Sequence, residues 1–165
     1  MSEISKQLAK DFMVCYFNTI RENSPVGEGI NKLLHSITRK SGYKTESLMV
    51  VDRDDNTALV GVVTIFDILY HLRPSFLHQG FHGDFLGSEI QWDERVPELV
   101  GTLREKKIKQ IMTKNVISAK PDEHIMSVVD SMVKNRYRRL PVVDESKLVG
   151  IIYLSDIYNK VFKYL

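Results

Sequence analysis

The chain has little of what marks a secreted or membrane-spanning protein. Its single cysteine, Cys15, excludes an internal disulfide. Its longest apolar runs, such as Leu59–Val63, are far shorter than the ~20 residues of a bilayer-spanning helix. The N-terminal residues MSEISKQLAKDF lack the apolar stretch of a signal peptide. The net charge of +2 gives no general attraction for nucleic acid or anionic membranes. We therefore expect a cytoplasmic protein that binds neither.

What the chain does contain is an internal repeat. LVGVVTIFDIL begins at Leu59, and LVGIIYLSDIY begins at Leu148. The segments preceding these, LMVVDRDDNTALVG and LPVVDESKLVG, also match. The offset falls along the chain, from 99 residues between Met13 and Met112 to 89 between Leu59 and Leu148. The first repeat thus carries about ten extra residues, as loops between elements tolerate.

Each repeat is predicted to contain the elements β-α-β-β-α. In the second repeat they are a strand at Val116–Ala119, a helix opened by Pro121-Asp122, strands at Leu140–Val143 and Leu148–Tyr153, and a helix capped by Ser155 or Asp156. A unit of about 55 residues buries too little apolar surface to be stable alone. We therefore predict an α/β (α+β) fold of two repeats packed sheet to sheet, with a pseudo-twofold axis and a cleft suited to a ligand.

The predicted organisation is repeat 1 at residues 1–72, a linker at 73–107 and repeat 2 at 108–165. The linker should form an amphipathic helix that is capped by Ser88 and broken at Pro97. Metal-ligand residue types occur near its start, namely His71, His78, His82 and Asp84. Their spacing matches no established zinc pattern, so we predict no metal site.

The motifs IMT, LPVVD, LVGII and SDI occur in this order in the second repeat. They resemble a CBS domain, named after cystathionine β-synthase. The whole chain resembles a tandem pair of such domains, often called a Bateman module. No catalytic domain, transporter span or DNA-binding region accompanies the pair, so the chain is similar to stand-alone members of the family.

The resemblance implies an adenosyl ligand, commonly AMP, ADP or ATP, in one or both of two clefts. In the family, ribose hydroxyls are held by the Asp that ends a G-h-h-[ST]-x-x-D motif, where h is hydrophobic. The first repeat matches the motif fully, with Thr64 and Asp67. The second has Asp156, but Tyr153 replaces the hydroxyl residue, and Ser155 partly compensates.

The family's other contacts can be placed by the same resemblance. Basic residues before the second repeat's strand, Arg138 and Arg139, would hold phosphate, although alternation along a strand should turn only one of them into the cleft. The remaining contacts fall on Lys114, Val116 and Tyr137 for the Asp67 cleft, and on Asn18, Ile20 and Thr45 for the Asp156 cleft. We favour the Asp67 cleft as the better site.

Two functions remain open at this point. The first is a regulatory sensor of adenine nucleotides, in which occupancy changes the packing of the repeats or the dimer state and a protein target responds. The alternative is a non-catalytic assembly module with a vestigial cleft, since an isolated Thr-x-x-Asp is most often a helix cap. A homodimer is expected in either case. No catalytic set or P-loop is present in the sequence, so we predict neither an enzyme nor a required cofactor.

Overall fold

A computed structural model of the chain describes residues 7–40, 42–78 and 91–163. The elements of the first repeat are β1 (Thr19–Arg21), α1 (Val26–Leu34), β2 (Ser47–Val51), β3 (Leu59–Thr64) and α2 (Ile65–Leu72). Two helices follow, α3 (Ser75–His78) and α4 (Trp92–Glu105). The elements of the second repeat are α5 (Ile125–Asn135), β4 (Arg139–Asp144), β5 (Lys147–Tyr153) and α6 (Leu154–Phe162).

The strands form two small sheets with matching registers. In the first sheet β1 runs parallel to β2, and β2 pairs antiparallel with β3. In the second, β4 and β5 form an antiparallel pair. In the second repeat, the segment that corresponds to β1 forms only one parallel bridge, between Ala119 and Val142 of β4. The predicted strand at Val116–Ala119 is therefore wrong, because a single bridge replaces it.

Three predicted helix boundaries also differ from the structure. The fifth helix begins at Ile125 instead of Pro121-Asp122, because the His124 ring accepts the Met126 N–H and caps it. The last helix begins at Leu154, directly after Tyr153, so Ser155 and Asp156, its predicted caps, lie in its first turn. No side chain caps its N-terminus. The linker helix runs unbroken through Pro97. Ser88, its predicted cap, lies outside the described residues.

The segment that leads into each repeat packs on the other repeat. The Ala9 N–H donates to the Glu123 carbonyl at 2.8 Å, and Val14 forms an antiparallel bridge with Ile151 of β5. In the same way, Thr113 forms an antiparallel bridge with Val62 of β3. Each repeat is thus completed by a segment from the other half of the sequence.

These exchanged segments cross the two sheets at glycines. A Cβ on Gly61 would lie 2.7 Å from Met112 Sδ and 2.8 Å from the Thr113 carbonyl oxygen. A Cβ on Gly150 would lie 2.8 Å from Met13 Sδ. The two glycines of the repeated LVG phrase are therefore required for close approach of the crossing segment.

Three clusters of buried apolar side chains hold the fold together. One cluster under each sheet includes side chains of the exchanged segment, namely Ala9 and Phe12 in one case and Ile108 and Ile111 in the other. The third lies between the sheets and consists of Met49, Val62, Ile151 and Tyr153. The predicted architecture of two repeats packed through their sheets, with an added linker helix, is confirmed.

Candidate ligand-binding clefts

The largest of the described cavities, about 830 Å³, lies between the two repeats. It is lined by all seven residues that the sequence predicted for the first cleft: Thr64, Asp67, Lys114, Val116, Tyr137, Arg138 and Arg139. The first two come from the junction of β3 and α2. Lys114 and Val116 follow Thr113, the residue that bridges to β3, and Tyr137, Arg138 and Arg139 lead into β4. We call this cavity the Asp67 cleft.

Asp67 is held in place by neutral donors. Its Oδ2 accepts the Thr64 N–H at 2.8 Å and the Thr64 hydroxyl at 3.0 Å. The first of these bonds and the donation of the Asp67 N–H to the Thr64 hydroxyl oxygen at 3.4 Å form the N-terminal capping box of α2. Its Oδ1 accepts the Thr113 hydroxyl across the repeat boundary at 3.3 Å. Asp67 forms no ion pair with any residue of the described ranges. A carboxylate offers about four acceptor positions, so this fixed group can still accept a ligand hydroxyl.

Cationic side chains also line the Asp67 cleft. Both Arg138 and Arg139 line it, and Arg139 is half-buried while Arg138 is exposed. Burial lowers the pKa of the Arg139 guanidinium from its ordinary value, and nearby Tyr153 and Glu46 oppose that shift. Arg139 Nη1 is buried and has no hydrogen-bond partner within the described part of the chain. The exposed Arg138 is the kind of cationic donor that a phosphate oxygen accepts from.

The second predicted cleft has a different interior, because Arg39 occupies it. Arg39 Nη1 lies 3.0 Å from both carboxylate oxygens of Asp156. The guanidinium carbon lies 3.7 Å from the centroid of the Tyr153 ring, and the Arg39 side chain is only 8% exposed. Two smaller cavities, of about 560 and 400 Å³, remain beside it, and Arg39 lines both. Ser155 lines the larger one and Asp156 the smaller one.

The register of the exchanged segments changes which residues border the Asp156 cleft. Because Val14 pairs with Ile151 as Thr113 pairs with Val62, the counterpart of Lys114 is Cys15. Cys15 lines the smaller cavity, whereas Asn18 accepts the Met49 N–H through its carbonyl.

The other two residues predicted for this cleft are buried. Ile20 lies in β1 and is only 1% exposed. Thr45 is 6% exposed and donates its hydroxyl to the Ile37 carbonyl at 2.9 Å. Because Val14 is the counterpart of Thr113, the residue three positions later, Phe17, is the structural counterpart of Val116, in place of the predicted Ile20.

Two residues important to these clefts, Thr113 and Arg39, were missed in the sequence. Thr113 is the last residue of the IMT motif, and only the exchange of segments brings it to Asp67. Arg39 lies in the loop between α1 and β2, where the first repeat carries extra residues. The longer loop is visible in the sequence as extra residues in the first repeat, and it indicates that the two clefts differ.

Neither a metal cluster nor a membrane span is found in the described ranges. No group of three or more His, Cys, Asp or Glu side chains there could hold a metal ion. Of the four ligand-type residues noted near the linker, His82 and Asp84 fall outside those ranges. No helix in the same ranges is both long and apolar enough to cross a bilayer.

This architecture is a pair of related repeats with a cavity of about 830 Å³ between them. The family model for the CBS domain matches residues 9–74 and 108–163, and the chain belongs to the CBS domain family. It is 32% identical over 143 residues to inosine-5'-monophosphate dehydrogenase of Methanocaldococcus jannaschii. That match covers 86% of this chain but only 21% of the dehydrogenase.

Solved structures show the same fold. The CBS domain of a CBS domain containing membrane protein from Sphaerobacter thermophilus superposes with a TM-score of 0.69 at 25% identity, covering 94% of this chain and 88% of that one. CBSX2, a chloroplastic protein of Arabidopsis thaliana, has been solved in complex with AMP. It superposes with a TM-score of 0.65 at 22% identity, covering 95% of this chain and 97% of that one.

Proposed function

We propose that this chain is a regulatory module that binds an adenine nucleotide in the Asp67 cleft. The observation that carries the proposal is the composition of that cleft. Asp67 lines the cleft with free acceptor capacity, and Arg138 and Arg139 line the same cavity as cations. A ribose needs acceptors for its hydroxyls, and a phosphate needs cationic donors. Because these groups belong to different repeats, a bound nucleotide bridges the repeats and favours the arrangement that places both kinds of group in contact with it.

Proteins with the same fold support the choice of ligand class. CBSX2 was solved with AMP, the cytosolic domain of the Mg²⁺ channel MgtE with ATP, and another CBS domain pair with 5′-methylthioadenosine and S-adenosyl-L-methionine. All of these ligands contain adenosine. The arginines that line the Asp67 cleft favour a phosphate-bearing member of this class, namely AMP, ADP or ATP. The module acts without catalysis, and a protein target reads its ligand-dependent change.

Thermal unfolding tests this proposal. A nucleotide at about 100 times its dissociation constant should stabilise the fold by roughly 2.7 kcal/mol, which raises Tm by about 5–10 °C for a chain of this size. Asp67→Asn keeps a capping acceptor but loses the charge, and Asp67→Ala loses both, so each should abolish the shift measured against its own unliganded Tm. Asp122→Ala, which removes an exposed carboxylate, is the control and should retain the shift. If AMP, ADP, ATP and S-adenosylmethionine all leave Tm unchanged, the proposal is refuted.

A second function, assembly as a homodimer, is favoured by the outer faces of α2 and α6. These helices occupy equivalent positions in the two repeats, and their equivalent residues Leu69 and Tyr158 are 59% and 63% exposed. Phe162 on α6 is also 53% exposed. Exposed apolar surface on two helices related by the pseudo-twofold axis suits a second copy of the chain. Sedimentation velocity should show a dimer that Leu69→Glu and Tyr158→Glu convert to a monomer; a monomeric parent protein would contradict it.

A further inference from the structure

A loop that is particular to the first repeat brings Arg39 into the Asp156 cleft. Residues 35–46 connect α1 to β2, whereas residues 136–138 suffice to connect α5 to β4. Within the longer loop, Thr38 and Lys44 form an antiparallel bridge, and the Arg39 N–H donates to the Tyr43 carbonyl at 2.8 Å. Gly42 turns the chain with φ at +85°, a conformation that glycine adopts readily. The second repeat has no such loop, so the Asp67 cleft receives no equivalent arginine.

Arg39 engages both groups at this cleft that could hold a nucleoside. It bonds both carboxylate oxygens of Asp156 and covers one face of the Tyr153 ring. Asp67, the counterpart of Asp156, accepts only from neutral threonine groups. Val14, the counterpart of Thr113, has no hydroxyl to donate. The two clefts thus differ in electrostatics as well as shape, since only one of their carboxylates is already paired with a cation.

The burial of Arg39 makes this contact costly to open. A ligand that takes both Asp156 oxygens must displace Arg39, whose side chain is 8% exposed and whose Nε already lacks a hydrogen-bond partner in the described residues. Binding to a minor open state is weakened in proportion to the population of that state. If the cleft is open about 1% of the time, affinity there falls by about 100-fold.

We infer that Arg39 is an internal occupant that closes the Asp156 cleft, so that the chain binds one nucleotide, in the Asp67 cleft. This inference rests on the proposed function, because it concerns the number of nucleotides that the same module accepts. Arg39 determines stoichiometry, and its removal opens a second site at Asp156.

Isothermal titration calorimetry with AMP and with ATP tests the inference. The wild-type chain should bind one nucleotide, and Arg39→Ala should bind two. Asp67→Asn should reduce each count by one, leaving a single site in the Arg39→Ala background. Arg53→Ala is the matched control, because it removes an arginine that is 65% exposed and lies away from both clefts, and it should bind one. Arg39→Gln, which is uncharged but keeps part of the packing on Tyr153, provides a second variant, and circular dichroism verifies that each variant is folded.

The outcomes separate this inference from the proposed function. Two sites in the wild-type chain would overturn it, as would folded Arg39→Ala and Arg39→Gln variants that keep the wild-type stoichiometry. If the wild-type chain binds neither nucleotide but Arg39→Ala binds one, the proposed function of the Asp67 cleft fails, and with it the wild-type stoichiometry of one, whereas the closure of the Asp156 cleft by Arg39 is upheld. If neither the wild-type chain nor the Arg39 variants bind, both are overturned.

Discussion

Replacing Gly61 by alanine should destabilise the protein through a specific backbone conflict. The added Cβ would lie 2.8 Å from the Thr113 carbonyl oxygen and 2.7 Å from Met112 Sδ. The sulfur can rotate away, but the carbonyl cannot, because the Thr113 N–H donates to the Val62 carbonyl at 2.9 Å and its carbonyl accepts the Val62 N–H at 3.0 Å. The exchanged segment must therefore move away from β3.

The size of the effect can be estimated from these contacts. Overpacking in a tight interior costs about 1–3 kcal/mol, and each weakened backbone hydrogen bond costs about 0.5–1.5 kcal/mol. We expect Gly61→Ala to lose about 2–3 kcal/mol of unfolding free energy, or about 5–10 °C in Tm. The three atoms nearest to a Cβ on Gly150 are side-chain atoms of Met13, namely Sδ at 2.8 Å, Cγ at 3.0 Å and Cβ at 3.1 Å. Because no backbone atom is among them, Gly150→Ala should lose less, about 1–2 kcal/mol.

Urea unfolding of three alanine variants checks this reasoning. Gly101→Ala is the control, because a Cβ there meets nothing within 4 Å inside α4, and it should gain about 0.5–1 kcal/mol. Gly61→Ala should also weaken nucleotide binding, since it displaces the Thr113 wall of the Asp67 cleft, whereas Gly150→Ala should not. The reasoning would be refuted by a Gly61→Ala protein as stable as the parent, or by a greater loss at Gly150.

Three further predictions concern single side chains. Thr113→Val removes the 3.3 Å contact that orients Asp67, and should weaken AMP binding about 3- to 10-fold by calorimetry, while Thr113→Ser retains affinity. Glu46 is an exposed acid that lines the same cleft as Arg138 and Arg139, so Glu46→Gln should strengthen ATP binding about two- to fivefold and adenosine binding hardly at all; equal gains would contradict this. Burial, and secondarily the nearby Lys106 charge, lower the pKa of His71, so the folded state disfavours its protonation. Stability should therefore be unaffected by His71 above pH 6.5 and decline below it, and His71→Gln should flatten that decline in urea unfolding at pH 7 and pH 5.

The fold and the Asp67 cleft could be predicted because each depends on short motifs that recur at matched positions. The LVG phrases and the Asp that follows each of them fix two equivalent hairpins and two helix starts. Such local patterns survive in the sequence whatever the distance between the repeats. The family resemblance that these patterns support grouped Asp67 with Arg138 and Arg139, and the structure places all three around one cavity.

The Asp156 cleft was harder to predict because its contents depend on register and on an insertion. Equivalent residues of the two repeats are 99 positions apart at Met13 and 96 apart at Pro25. The counterparts of Lys114 and Val116 were predicted with the offset of 96, although they lie where the offset is 99, so the predicted residues are three positions too late. The offset of 96 selected Asn18 and Ile20, where the bridge at Val14 selects Cys15 and Phe17. Arg39 belongs to a loop without a counterpart, and no comparison of the repeats could place it.

The crossing of the two leading segments has a consequence for any attempt to shorten this protein. Residues 8–14 close the second half and residues 107–113 close the first, so neither half is a portable unit. A chain reduced to one repeat would expose the sheet surface that the other repeat's leading segment covers. Its own leading segment would also lack the sheet on which it packs. Two such chains could satisfy each other by trading these segments, which is the geometry of a domain-swapped dimer. Because both repeats belong to one chain, their pairing is intramolecular and does not depend on protein concentration. Separate single repeats would have to associate in a bimolecular reaction.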